Sequence, residues 1–264
     1  IDDDLLHLPE SLGEEIVRRQ GAAVQARREM LGACDLIYAS TAELARMLRH
    51  EFPGKPVMQG MYAAWRDLAV RQGPAATPDT IGYMGSKGHC HDLELVVPAL
   101  VQLMEQRPQL RFETFGTIEM PHALRRFGPR VCHHPVQKSY DEFLRSLARL
   151  EWTVGLAPLV DEPFNRCKAP TKFIEYTSCG IPTVASGLAV DADAIPAGAG
   201  VLVGDEWKGP LERILDFPDR RVSMLDAARR HCMQAFSPER LESQVEEVLR
   251  EAMRQPARNP TGDR

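Results

Sequence analysis

Three side chains carry the chemistry most plainly: Lys168, Lys172 and Glu175, inside the run DEPFNRCKAPTKFIEYTSCGIPTVAS at 161–186. Two ammonium groups and the free N–H groups of a helix start suit a diphosphate. An ionised carboxylate one turn further along can accept bonds from two ribose hydroxyls. A second group, GSKGHCHD at 85–92, opens a helix after a strand and offers Lys87 and His89. Glycine turns of this kind can take phosphate on backbone N–H groups, although many contain glycine for geometry alone.

The residues around these groups position them. Pro170 suits the first turn of a helix, where a missing N–H costs nothing. Gly180 can supply the left-handed residue that ends it, Pro182 blocks continuation, and Val184 and Ala185 begin an apolar strand. Lys172 and Glu175 share one helix face, and Phe173 and Tyr176 a more apolar one. The ordinary alternatives are a surface helix for the lysines, and for Glu175 a solvated partner of Lys172. Asp92 reads first as a helix cap and His89 as a turn residue or phosphate ligand. His133, His134 and Lys138 follow another strand, with core, surface and ligand roles all open.

Elsewhere the pattern is one of alternating strands and helices. Apolar strands are expected at 81–85, 110–116, 130–134, 153–159, 183–186 and 200–204, with helices near 92–106 and 140–150. Continuous apolar strands between amphipathic helices predict a Rossmann-like α/β fold, a mostly parallel sheet with helices on both faces. Such sheets bind ligands at the carboxyl ends of their strands. A helix over 12–31, a strand over 33–40, a helix from Ser40 or Thr41 to Arg49 and a strand over 55–59 form a partial second α/β domain. The division expected is a partial N-terminal domain and linker at 1–75, with the linker itself at 72–80. The main domain follows at 76–236, then a crossover helix at 237–254 and a disordered tail at 255–264. Helices are also expected at 207–215 and 221–235, and Ser237 with Glu239 is a start signal for the last one.

With 264 residues, 44% hydrophobic and 26% charged, the chain has ordinary globular composition. A net charge of −5 argues against bulk nucleic-acid binding. Six scattered cysteines without a C-x-x-C pair fit free thiols in a reducing, cytoplasmic compartment. Cys90, His91, Cys132, His133 and His134 match no standard zinc spacing, so no metal is expected. The opening Asp2–Asp3–Asp4 reads as a solvated loop rather than a calcium site. Trp65, Trp152 and Trp207 read as core or domain-contact residues. The chain starts at Ile1 rather than Met, which leaves room upstream for a leader or anchor of the parent protein.

The segment FIEYTSCGIPTVAS resembles the nucleotide-sugar-binding segment of retaining, family-4-type GT-B glycosyltransferases, the group related to glycogen synthase and sucrose synthase. Asn165, Lys168, Lys172, Glu175 and Tyr176 resemble an N-x-x-K-x-x-x-K-x-x-E-Y variant of bacterial polysaccharide and rhamnan-type transferases, and His89 and Asp92 a G-S/T-x-x-H-x-x-D pattern. The resemblance implies the C-terminal donor domain of such an enzyme with part of its N-terminal domain. It implies transfer, with retention, from a nucleoside diphosphate sugar to a glycan or lipid-linked acceptor, and no required cofactor. Lys168 and Lys172 would stabilise the departing diphosphate; Lys87, His89, Asn165 and Glu175 would complete the donor site. Where the family's E-x7-E pair begins, this chain has Cys167, with Asn165 and Glu162 nearby. A chain with an incomplete acceptor half can bind donor without transferring, and peripheral membrane association would fall to parts outside it. A non-catalytic nucleotide-sugar-binding or scaffolding module is the rival reading; epimerisation is a third, without a convincing acid/base set.

Overall fold

A computed structural model describes residues 1–61, 63–68 and 79–254. Most of the expected linker and the whole expected tail lie outside these residues. In chain order the helices and strands are α1 (Glu14–Gly21), α2 (Val24–Ala33), β1 (Ile37–Ala39), α3 (Ala42–Glu51), β2 (Val57–Gln59) and β3 (Thr80–Gly85). Next come α4 (Cys90–Glu94), α5 (Val97–Gln106), β4 (Arg111–Gly116), β5 (Val131–Pro135), α6 (Tyr140–Arg149), β6 (Val154–Ala157), α7 (Pro163–Arg166) and α8 (Thr171–Ser178). The chain continues through β7 (Thr183–Ser186), α9 (Ala189–Ala194), β8 (Val201–Val203), α10 (Lys208–Asp216), α11 (Pro218–Ala235) and α12 (Pro238–Arg254).

Every described strand pair is parallel, and the main sheet runs β5-β4-β3-β6-β7-β8. From β3 the chain steps outward through β4 to β5, returns to β6 beside β3, and then steps the other way. The crevice between β3 and β6 is therefore the point where strand order reverses, where ligands bind in open sheets of this type.

Alternation of side chains divides the core. Ile81, Tyr83, Val154 and Leu156 pack with Leu100 and Leu103 of α5 and Leu211 and Ile214 of α10. Met84, Phe115 and Trp152 pack on the opposite face with Leu144 and Leu147 of α6 and Tyr176 of α8. Tyr176 also joins the two strands flanking the crevice. Strands β3 and β6 pair only at Ile81–Val154 and Gly82–Gly155. Beyond that point the Tyr176 hydroxyl donates to the Leu156 carbonyl at 3.0 Å and accepts from the Met84 N–H at 3.1 Å. Gly155 makes room for the ring, since a Cβ there would lie 2.8 Å from it.

The N-terminal unit is a parallel β1–β2 pair with α3, whose start is capped by Thr41 Oγ1 accepting from Leu44 N–H at 3.2 Å. The helix expected over 12–31 is two helices, α1 and α2. The last helix, α12, returns to this unit: Gln244 Oε1 accepts from the Met61 N–H at 2.7 Å and the Tyr38 hydroxyl at 3.2 Å. The Thr41 hydroxyl in turn donates to the Cys167 carbonyl at 2.9 Å, fixing this unit to the loop before α8.

Candidate functional site

The carboxyl ends of β3, β4 and β6, the head of α8 and the N-terminal residues enclose a cleft of about 370 Å³. Its floor is backbone-rich: Gly85 and Ser86 follow β3, and Gly116 and Thr117 close β4. Gly116 has φ of +116°, and a Cβ there would strike the Gly85 carbonyl, so this close approach needs glycine.

Helix α8 delivers the charges. It starts at Thr171, one residue later than Pro170 suggested, and Gly180 ends it at φ +75°. Lys172 lies in the first turn, with its Nζ 5.6 Å from the centre of the Tyr83 ring. Burial lowers its pKa, as does the charge of Lys168; Asp92, Glu175 and Asp191 act against this at longer range. Lys168 Nζ sits 3.4 Å from Asp3 Oδ1 and 4.5 Å from the centre of the Phe164 ring. Glu175, one turn beyond Lys172, is buried, and burial raises its pKa to about 7 against a hydrogen bond from Tyr140 and the charge of Lys172. Asp191 of α9 is also buried on the cleft wall and is raised to about 7 by the same cause, opposed by Lys172.

His89 lines the cleft with Nδ1 2.8 Å from Asp92 Oδ2. The nearby Lys172 charge and burial depress its pKa to about 4, so the ring is neutral at pH 7 and presents one donor and one acceptor. Asp92 departs from the expected cap. Its carboxylate crosses to the loop after β6, accepting from the Val160 N–H at 2.8 Å and from Asn165 Nδ2 at 2.9 Å.

No family model matches the sequence, and no curated protein is similar enough in sequence to count as a relative. Solved structures do match the fold. Sucrose-phosphate synthase from Thermosynechococcus elongatus superposes with a TM-score of 0.65 at 19% identity, over 92% of this chain and 65% of that one. Anabaena HepE in complex with UDP-glucose gives 0.68 at 15% identity, over 95% and 71%. S. aureus TarM, in a complex containing UDP, gives 0.62 at 11% identity, over 86% and 46%. This chain has the GT-B glycosyltransferase fold. It spans about half to two thirds of the length of most of these structures, and with its six-stranded and two-stranded sheets it matches half of a GT-B enzyme.

Within the GT-B frame, the cleft brings together four of the residues singled out from sequence: His89, Lys168, Lys172 and Glu175. Two others lie elsewhere. Asn165 is buried behind the cleft, its amide donating to Asp92 and to the Val160 carbonyl at 3.0 Å, so it positions the loop. Lys87 is exposed and turns to Glu15, 3.6 Å away. Cys167 packs into the N-terminal cluster, and Glu162 accepts from the Ser11 hydroxyl at 2.8 Å. His133 and His134 bond to Thr114 and Glu113 of the neighbouring strand.

Sequence reading missed Asp191, Phe115 and Phe143, and set Asp2 and Asp3 aside as a solvated loop; all five line the cleft. Asp4 instead folds the loop, accepting from the Leu6 and His7 N–H groups. Among the described residues no cluster suited to a metal ion is found, and no helix is long and apolar enough to cross a membrane.

Proposed function

We propose that this chain carries the donor site of a retaining glycosyltransferase that uses a uridine diphosphate sugar and glycosylates a growing glycan. The observation that carries this reading is the pairing of Lys168 and Lys172 at the head of α8 with buried Glu175 one turn on, in the crevice where strand order reverses. A diphosphate leaving group gathers negative charge as the bond to the anomeric carbon breaks. Two preorganised ammonium groups and the first N–H groups of α8 stabilise that charge. Bound diphosphate also relieves the repulsion between the lysines that lowers the Lys172 pKa. Glu175 holds the ribose hydroxyls, and neutral His89, whose Nδ1–H is given to Asp92, presents Nε2 as an acceptor without adding charge. Uridine is favoured because HepE and TarM were both seen with UDP.

A non-catalytic nucleotide-sugar-binding module remains the second reading, favoured by the two-stranded N-terminal unit of the described residues. Titration calorimetry with UDP, GDP and dTDP, beside Glu175→Ala, tests the donor site. UDP should bind tightest, and the substitution should weaken it about tenfold or more through loss of charge-assisted hydrogen bonds. Failure of all three to bind would remove the donor-site reading. Transfer from UDP-glucose by the full-length parent then separates enzyme from module.

A further inference from the structure

The cleft is chemically graded along the sheet. At one end stand Phe115 of β4 and Phe143 of α6, stacked with ring centres 5.0 Å apart; exposed Tyr140, also of α6, hydrogen-bonds Glu175 from outside the lining. These elements lie on the β4–β5 side of the crevice. The lysines at and before the start of α8 occupy the middle. At the other end, after β7, stands Asp191. A nucleoside diphosphate sugar has the same order of parts: a flat base and ribose, a diphosphate, then a hydroxylated ring. Aromatic rings suit the base and lysines the diphosphate, which leaves the Asp191 end for the sugar.

Asp191 is only 4% exposed, and its Oδ2 has no hydrogen-bond partner among the described residues. The other buried acid of the cleft wall, Glu175, has Tyr140, and half-buried Asp3 has Lys168. Lys172 acts on Asp191 only at longer range. Once a diphosphate occupies the lysines, that help is withdrawn and phosphate oxygens add repulsion. An orphaned buried acceptor facing a ligand cleft is satisfied by a donor on the ligand.

We propose, resting on the donor-site reading above, that Asp191 selects the transferred sugar by accepting a hydrogen bond from one of its hydroxyl groups, so that the donor is a hexose carrying that hydroxyl and not its deoxy analogue. Sites built to bond a hydroxyl reject the analogue lacking it strongly, because the buried partner is left unpaired.

The test is titration of UDP and of UDP-glucose into the parent chain, Asp191→Ala and Asp191→Asn. The ratio of the UDP-glucose to the UDP dissociation constant should rise about tenfold or more in Asp191→Ala, with UDP binding changed less than about twofold. Asp191→Asn, which keeps a neutral acceptor, should recover part of the loss. One monodeoxy analogue of UDP-glucose should bind the parent weakly and show no added loss in Asp191→Ala. Melting temperature keeps a folding defect apart: removal of an unpartnered acid should leave it unchanged or higher. Equal loss of UDP and UDP-glucose, or an unchanged ratio, overturns the role of Asp191 while leaving the donor site standing. Absence of UDP and UDP-glucose binding to the parent overturns both.

Discussion

Two groups of buried acids lie side by side in this fold, and they behave in opposite ways. Behind the cleft, burial pushes Asp92 up, but the His89 ring and the Val160 N–H outweigh it and hold the carboxyl below its ordinary range. Asn165 adds a third donor. Facing the cleft, Glu175 and Asp191 are similarly buried, yet both rise to about 7 because burial is answered by a single hydrogen bond in one and by none at Asp191 Oδ2. Depth alone does not set the state of a carboxyl here. A fully satisfied carboxylate ties loops together, whereas an undersatisfied one stores capacity for a ligand.

That contrast is broken most severely at Asp92. Asp92→Ala takes the acceptor from the Val160 N–H and from one N–H of the buried Asn165 amide, and should cost on the order of 3 kcal/mol, read as a lower urea midpoint at constant slope. Lys172→Met should do the reverse: UDP affinity falls about a hundredfold, while unfolding stability holds or rises because a buried cation is removed. A stability loss as large as that of Asp92→Ala would put Lys172 among the structural residues.

The pH dependence of folding sharpens the same point. Folded Glu175 and Asp191 keep their protons to about 7, against 4.5 and 3.8 for the free groups. Between these limits the folded state binds more protons, so rising pH lowers stability through them. His89 acts oppositely, titrating near 4 when folded and 6.5 when free, so rising pH raises stability through it. From these three groups alone, two falling contributions against one rising give a decline of about 1.4 kcal/mol per pH unit from roughly pH 4.5 to 6.5. In Glu175→Gln/Asp191→Asn the slope from these groups should change sign, as urea unfolding across that range will register. The smallest effect belongs to Lys87→Ala. An exposed pair with Glu15 is worth at most about 1 kcal/mol, so both UDP affinity and stability should hardly move.

The sheet was readable because its strands are continuous apolar runs and its helices carry one apolar face, signals that depend only on neighbours in sequence. Glu175, Lys172 and Gly180 were readable for a similar reason: cap, face and turn lie within one local segment. Asp191 was not, since a short helix in LAVDADAIP carries no periodic signal and the residue matters only through a tertiary position beside Lys172. The packing of Asn165 was hidden for the converse reason. Its spacing from Lys168 and Lys172 suggested a ligand, while its partners, Asp92 and Val160, lie on segments whose proximity only the folded sheet reveals. The three aspartates divided three ways: Asp2 and Asp3 line the cleft, Asp3 pairs with Lys168, and Asp4 folds the turn.

A crystal structure of this chain with UDP would show where the nucleotide sits. The diphosphate should lie within hydrogen-bonding distance of Lys168 and Lys172, the ribose on Glu175, and the uracil ring toward Phe115 and Phe143. UDP bound outside the crevice, or bound there with its diphosphate away from both lysines, would contradict that placement.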